Sequence, residues 1–193
     1  MDYSPTTALI VVDVQNDFAD PDGSLYVTGG ETTIPFINEQ IRMAVEAGAT
    51  IVYTRDWHPS STPHFAKDGG IWPVHCVGET WGSEFHPDLV VIGGEVKKGT
   101  SGEDGYSGFT VRDPETGDES GTGLESLLRN SGITDVVVLG LATDYCVKET
   151  ALDAVRLGFS TTLLADGVQS VNLSPGDGTR AIAEMVVAGV AVQ

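Results

Sequence analysis

The chain has 193 residues, 40% of them hydrophobic, and carries a formal net charge of −18 at pH 7. The length fits one globular domain over residues 1–193, and the acidity argues against nucleic acid or an anionic membrane as a partner, because phosphate binding requires clustered Lys and Arg. No apolar run approaches the roughly 20 residues of a membrane helix, and the N-terminus lacks a basic signal region, so we expect a cytoplasmic protein.

The first half of the chain predicts three strands, one helix and long loops. Residues 7–14 form a continuous apolar run, as expected of a strand buried on both faces of a parallel sheet. Apolar residues from Ile34 to Val45 recur at helical spacing, and Gly48 ends that helix. Residues 50–54 and 89–93 are predicted to be the second and third strands. Residues 95–120 are interpreted as loop, with a solvated acidic turn at 113–119.

The second half of the chain predicts a regular alternation of helices and strands. Helices are expected over residues 123–131, 144–157 and 177–188, and strands over 135–141, 160–165 and 190–192. This alternation is typical of an α/β fold, so we predict a three-layer structure with a mostly parallel, Rossmann-like sheet of about six strands flanked by helices. Ligands in such folds bind beyond the carboxyl ends of the strands.

The two cysteines, Cys76 and Cys146, are expected to remain reduced, because no secretory signal precedes them. Cys146 lies in the first turn of the helix predicted over 144–157, where the helix dipole lowers the pKa of a thiol and free N–H groups can hold an oxyanion. These properties favour a nucleophile. A small buried hydrophobic residue is the alternative for Cys146, and packing is our interpretation of Cys76.

Two further polar residues, Asp13 and Lys98, lie near predicted strand ends. Asp13 belongs to the apolar run 7–14, where a carboxylate is rarely buried without a partner or a function. Binding of loop backbone is the alternative for Asp13. Lys98 follows Lys97. Taken alone, these two residues are more typical of a lysine pair on the surface than of a functional site. The carboxyl ends of parallel strands share one edge of the sheet, which would bring both residues close to the segment 142–146.

A metal site is indicated by an aspartate and three histidines. Asp56 and His58 stand two residues apart at a strand end, and His64 and His75 follow in the same loop region. A carboxylate with imidazoles suits a divalent zinc, iron or manganese ion, with water in any open position. A group of surface histidines is the alternative interpretation.

Short motifs spread over the chain contain all of these residues. They read VVDVQNDF at 11–18, TRDWHP at 54–59, HF at 64–65, WPVHCV at 72–77, KG at 98–99, YSGF at 106–109 and GLATDYCV at 140–147. In this order they resemble the nicotinamidases of the isochorismatase-like cysteine hydrolase superfamily. The resemblance extends from residue 7 to about residue 170.

The resemblance implies a catalytic triad of Asp13, Lys98 and Cys146, with an oxyanion hole formed by the backbone N–H groups of Ala142 and Cys146. In that family the peptide bond before the residue that matches Ala142 is cis. Asp13 would take the thiol proton and Lys98 would favour the thiolate, which attacks the amide of nicotinamide. The products would be nicotinate and ammonia, in a step of NAD salvage.

The resemblance also implies a cofactor and a substrate pocket. One divalent metal ion, for which zinc is favoured over iron or manganese, would be bound by Asp56, His58 and His75, with His64 as a fourth ligand. The expected partner is a small-molecule amide, whose pyridine nitrogen would reach the metal. The residues implied to bind it are Phe18 and Trp72, on either side of the ring, and Tyr106.

Three other functions are weighed against this interpretation. N-carbamoyl and ureido amidohydrolases of the same superfamily share the triad but generally lack the metal set of Asp56, His58 and His75. Isochorismatases cleave a vinyl ether without the cysteine, so Cys146 argues against that activity. A binding module derived from an enzyme that has lost its activity is disfavoured, because the triad and the metal set are both complete. A homo-oligomer is compatible with the sequence.

Overall fold

Six parallel strands form the central sheet of the computed structural model, which describes all residues from Met1 to Gln193. These strands are β1 (Thr7–Val12), β2 (Thr50–Asp56), β3 (Gly94–Lys98), β6 (Asp135–Leu141), β7 (Ser160–Gln169) and β8 (Ala191–Val192). They lie in the order β3-β2-β1-β6-β7-β8, and every neighbouring pair is parallel. Two short strands, β4 (Thr110–Arg112) and β5 (Glu119–Gly121), pair with each other as an antiparallel hairpin.

Five α-helices flank the sheet, as the predicted three-layer fold requires. They are α1 (Asn16–Ala19), α2 (Ile34–Glu46), α3 (Leu124–Asn130), α4 (Lys148–Arg156) and α5 (Asp177–Ala188). The helix expected over 144–157 is divided, because residues Thr143–Val147 form a π-helical turn before α4 begins. No helix is both long enough and apolar enough to cross a lipid bilayer.

The core is built around the two central strands. All six residues of β1 are buried, and so are the last six residues of β6. Burying a Val, Leu or Ile side chain contributes roughly 1.5–3 kcal/mol, so these two strands hold the centre of the sheet in place. Helix α2 adds Ile37, Ile41 and Ala44 from one face, at the spacing that the sequence predicts.

The third strand does not lie where the sequence predicts it. Residues 89–93 are irregular, and Val90, Val91 and Ile92 are 42–57% exposed. The Tyr53 hydroxyl donates a hydrogen bond of 2.7 Å to the Val90 carbonyl, which holds this segment outside the sheet. The strand follows at 94–98, where only Val96 and Lys98 are buried. Residues 95–120 are therefore not all loop, since they contain part of β3, all of β4 and the start of β5.

The topology brings the ends of β1 and β6 together. Strands β1 and β6 are neighbours in the sheet. After β1 the chain continues to β2, toward one edge of the sheet, and after β6 it continues to β7, toward the other edge. The point between two such strands is where α/β sheets bind ligands. Asp13 directly follows β1 and Ala142 directly follows β6, so both lie at this crevice.

Gly140 permits the close approach of β6 to β1 at the crevice. Its φ is +115°, and the β6–β7 pairing shifts register beside it. A Cβ at residue 140 would overlap the carbonyl oxygen of Val12. Only glycine accommodates this combination of conformation and contact.

We expect Gly140→Ala to lower the free energy of unfolding by about 2–5 kcal/mol, since left-handed strain and overlap add. Gly158→Ala is the matched control, because Gly158 has a φ of +84° with no atom within 4 Å of the added Cβ. It should cost only about 1–2 kcal/mol. Urea unfolding measures both values, and equal losses would contradict the close packing inferred at Gly140.

Candidate active site

Asp13 is fully buried directly after β1, with a φ of +49° that turns its carboxylate out of the strand direction. Its Oδ1 accepts a hydrogen bond of 2.6 Å from the Thr54 hydroxyl. Its Oδ2 lies 2.8 Å from Nζ of Lys98, within ion-pair distance, but no donor is aligned with it as a hydrogen bond. Oδ2 is therefore able to accept a proton from a neighbouring group.

Lys98 is the last residue of β3, and its side chain is 1% exposed. The strand register places it directly beside Asp56 of β2. Its ammonium contacts Oδ1 of Asp56, Oδ2 of Asp13 and, at 3.6 Å, Sγ of Cys146. The surface-pair interpretation is thus wrong for Lys98 and correct only for Lys97, because successive residues of a strand face opposite sides.

Cys146 lies in the π-helical turn after β6 and is 6% exposed. Burial raises the pKa of its thiol well above the ordinary value; Lys98 opposes this shift, whereas Asp13 and Asp56 add to it. The net shift of the Cys146 pKa is therefore opposite in direction to the lowering expected at a helix start. In the metal-free protein this shift favours the protonated thiol.

The turn before Cys146 begins with an unusual peptide bond. The peptide bond between Leu141 and Ala142 is cis, as the resemblance implied. The Ala142 carbonyl accepts hydrogen bonds of 3.1 Å from the N–H groups of Tyr145 and Val147. These two bonds come from the residues on either side of Cys146, at a helix start where free N–H groups are available to an anion.

Three histidine rings meet beside the triad. One ring nitrogen from each of His58, His64 and His75 lies within 4.8 Å of the others, and all three residues are buried. Oδ2 of Asp56 lies 3.8 Å from Nε2 of both His58 and His75. Two ligands about 2.1 Å from one metal ion can be up to about 4.2 Å apart, so the 3.8 Å separations of Asp56 from His58 and from His75 suit a shared ion.

His58, His75 and Asp56 each have a property that suits them to bind a divalent metal ion. Neither ring nitrogen of His58 has a hydrogen-bond partner although the side chain is buried, and such a vacancy is costly unless a metal or water fills it. Burial lowers the pKa of His75 to about 4, so its imidazole is neutral. Burial alone would raise the pKa of Asp56, but Lys98 and His58 outweigh it and keep the carboxylate ionised.

A pocket opens between Cys146 and the histidines. Phe18 and Trp72 line it, and the indole N–H of Trp72 donates a hydrogen bond of 3.1 Å to the hydroxyl of Tyr106, which also lines it. All three residues expected to bind substrate are thus in one cavity. The other lining residues are Leu25, Val27, Asp56, His64, His75, Leu141, Ala142, Tyr145, Cys146 and Val171.

Some residues at this site are absent from the sequence interpretation. Leu25, Val27 and Val171 lie in segments without a recognisable pattern, and only the fold brings them to the pocket. Tyr145 precedes Cys146, and that adjacency is a signal that could have identified it. Asp104, whose Oδ1 lies 2.8 Å from Nδ1 of His64, belongs to a stretch interpreted only as loop.

Comparison with known proteins gives consistent matches over the whole chain. Residues 7–193 match the isochorismatase domain family. The nicotinamidase/pyrazinamidase of Mycobacterium tuberculosis is 40% identical, over 95% of this chain and 96% of that protein. The crystal structure of the pyrazinamidase of Pyrococcus horikoshii in complex with zinc is 43% identical with a TM-score of 0.86, over 98% of this chain and 99% of that one. PnC1 from L. infantum, in complex with nicotinate, is 38% identical with a TM-score of 0.88, over 100% and 95%.

We expect Lys98→Met to lower the free energy of unfolding of the metal-free protein by about 3–5 kcal/mol at pH 8, because Asp13 and Asp56 lose their buried counter-charge. Without Lys98 the pKa of each of these carboxyls rises, so one of them is protonated as the pH falls toward 5. The difference in free energy of unfolding between the wild type and the variant should therefore shrink over this pH range. Urea unfolding across this pH range measures it. Lys97→Met, the matched change on the exposed face, should cost at most about 1 kcal/mol at any pH. Equal losses from the two variants would contradict the buried ion pair.

Proposed function

Because this chain belongs to the isochorismatase domain family, we propose that it is a nicotinamidase, which hydrolyses nicotinamide to nicotinate and ammonia. It is a hydrolase that acts on a linear amide, and its nicotinamidase relatives match it over nearly the full chain. The observation that carries the proposal is the buried contact of Lys98 with Asp13, Asp56 and Cys146. This contact joins an amide-cleaving triad to a set of metal ligands across one small pocket.

The pocket suits a flat aromatic amide. Its walls are mostly apolar, and Phe18 and Trp72 supply aromatic surface for stacking. Cys146 and Ala142 line the pocket at the triad, and His64 and His75 line it at the metal ligands. A pyridine ring with a carboxamide substituent would therefore present its amide carbon to the thiol and its ring nitrogen to the histidines.

The reaction proceeds through a thioester. Oδ2 of Asp13 takes the proton of Cys146 as Sγ bonds to the amide carbon, and the N–H groups of Ala142 and Cys146 stabilise the oxyanion. Asp13 returns the proton to the leaving nitrogen, the C–N bond breaks and ammonia departs. Asp13 then takes a proton from water as its oxygen attacks the thioester. The C–S bond breaks and the proton on Asp13 restores the thiol. The released nicotinic acid ionises to nicotinate and gives its proton to ammonia.

Lys98 keeps Asp13 available as a base. Burial alone would lower the pKa of Lys98, but Asp13 and Asp56 outweigh it and hold the ammonium protonated. Burial raises the pKa of Asp13, and Lys98 opposes that rise. An ammonium at this position also offsets negative charge on Sγ during attack.

Asp56, His58 and His75, with His64 as a fourth, are the residues that would bind a divalent metal ion. When bound, the ion supplies a Lewis-acidic position that orients the pyridine nitrogen. Imidazole and carboxylate ligands suit zinc, and iron or manganese are the alternatives. The zinc complex of the Pyrococcus horikoshii pyrazinamidase supports the choice of zinc.

The other activities weighed from the sequence lack a specific observation in their favour. N-carbamoyl and ureido amidohydrolases need the triad alone, whereas here three histidines and Asp56 surround one point beside the pocket. Isochorismatase chemistry gives no role to Cys146. We further propose that residues 1–193 form one domain, supported by a hydrophobic core of 39 buried residues. A cytoplasmic location, the absence of nucleic-acid partners and a homo-oligomeric state stay predictions.

We expect Cys146→Ala to reduce ammonia release from nicotinamide by at least about 10³-fold, since no other group can form the thioester. Cys76 is buried outside the pocket, so Cys76→Ala serves as the control and should keep most of the activity. Ammonia production per folded protein is the measurement. Near-normal turnover by Cys146→Ala would overturn the scheme.

Removal of the metal is expected to lower kcat/KM for nicotinamide by more than about tenfold, because metal–substrate contacts contribute up to several kcal/mol. Benzamide has the same shape without the ring nitrogen, so it should be a poor substrate whose rate changes little with the chelator. Addition of zinc should restore the preference for nicotinamide. Full turnover by protein shown to be metal-free would refute this role, and turnover of an N-carbamoyl compound alone would favour the ureido amidohydrolases.

A further inference from the structure

The three histidines differ in what their outward-facing nitrogens contact. Nδ1 of His75 lies 2.8 Å from the carbonyl oxygen of Pro73, and Nδ1 of His58 has no partner. Nδ1 of His64 lies 2.8 Å from a carboxylate oxygen of Asp104. His64 is therefore the histidine of this cluster with an anionic partner on the side away from the other rings.

The Asp104 carboxylate is itself held in place. Its Oδ1 also accepts a hydrogen bond of 2.9 Å from the Gly105 N–H, and its Oδ2 lies 3.8 Å from the guanidinium of Arg112. Such a group, fixed on two sides, is able to select one orientation of the His64 ring.

The hairpin of β4 and β5 anchors Asp104 through the backbone. The N–H of Asp104 donates to the Arg112 carbonyl at 2.7 Å, and the N–H of Arg112 donates to the Asp104 carbonyl at 2.6 Å. Gly105 has a φ of +135°, and a Cβ there would lie 3.2 Å from Cα of Val111. A glycine is thus required where the loop lies against β4. The hairpin that carries the acidic turn therefore holds the backbone of Asp104 in place.

We propose that Asp104 is a positioning residue for His64. This role depends on the proposed metal site. Asp104 accepts the hydrogen bond from the Nδ1–H of His64, so that Nε2 carries the lone pair for the metal. A carboxylate behind a ligating histidine fixes its tautomer and ring orientation and raises its basicity. The role needs no contact between Asp104 and substrate.

The test is the zinc affinity of the full-length protein, measured by competition with a chromogenic chelator. Asp104→Ala should raise the Kd for zinc by about 10–100-fold, the range for outer-shell partners of metal ligands. Asp104→Asn keeps an acceptor oxygen and should lose less. Glu103→Gln removes the same charge from the same loop, where Glu103 accepts the Ser101 N–H at 2.7 Å, and should leave the Kd unchanged.

A double-mutant comparison separates positioning from general structure. In a His64→Ala background, Asp104→Ala should cause no further loss of zinc affinity. If Asp104→Ala lowers zinc affinity equally in the wild-type and His64→Ala backgrounds, the positioning role is overturned. The His58→Ala variant is the control for the metal site itself. If His58→Ala binds zinc poorly while Asp104→Ala leaves the Kd unchanged, the positioning role is also overturned. If His58→Ala also binds zinc normally, the proposed metal site fails and this inference fails with it. The melting temperature of each metal-free variant reports folding independently.

Discussion

The ammonium of Lys98, buried between two carboxylates, is the interaction on which the site depends. Asp13 and Asp56 are 0% and 5% exposed and stand at the ends of adjacent strands. Two carboxylates at such a place would repel each other and draw protons, which would remove both the proposed base and the proposed metal ligand. One shared cation allows both to remain ionised. The proposed catalytic and metal-binding roles therefore both depend on Lys98.

The sheet explains why one lysine can serve both carboxylates. The register of β3 with β2 puts Lys98 beside Asp56. The register of β2 with β1 puts Thr54 beside Val12. Asp13, one residue beyond that pair, then points toward the end of β3. On the other side of β1, strand β6 delivers the turn with Cys146. The strand register thus determines where the backbone places Asp13, Lys98 and Cys146, the residues of the proposed triad.

Much of this arrangement could be predicted from the sequence, and the failures have physical causes. The apolar runs of β1 and β6 and the last helix, α5, were recognisable because strands buried on both faces and amphipathic helices have distinctive patterns. The third strand was misplaced because residues 89–93 are more apolar than the true edge strand, where only Val96 and Lys98 face inward. An edge strand gains little from burial, so its composition carries little signal. The β4–β5 hairpin and Asp104 were missed for a related reason, since their role depends on contacts distant in sequence.

The thiol of Cys146 shows where local reasoning from the sequence fails. A helix start and a nearby lysine both favour a thiolate, yet burial and two carboxylates outweigh them. No Lys or Arg lines the cavity, and nicotinamide is likewise uncharged. The one close ammonium is already paired with Asp13 and Asp56. The pocket thus offers a neutral amide an apolar and aromatic surface, without an unpaired Lys or Arg in its lining. On a protein of net charge −18, long-range electrostatics also favours departure of nicotinate over its return.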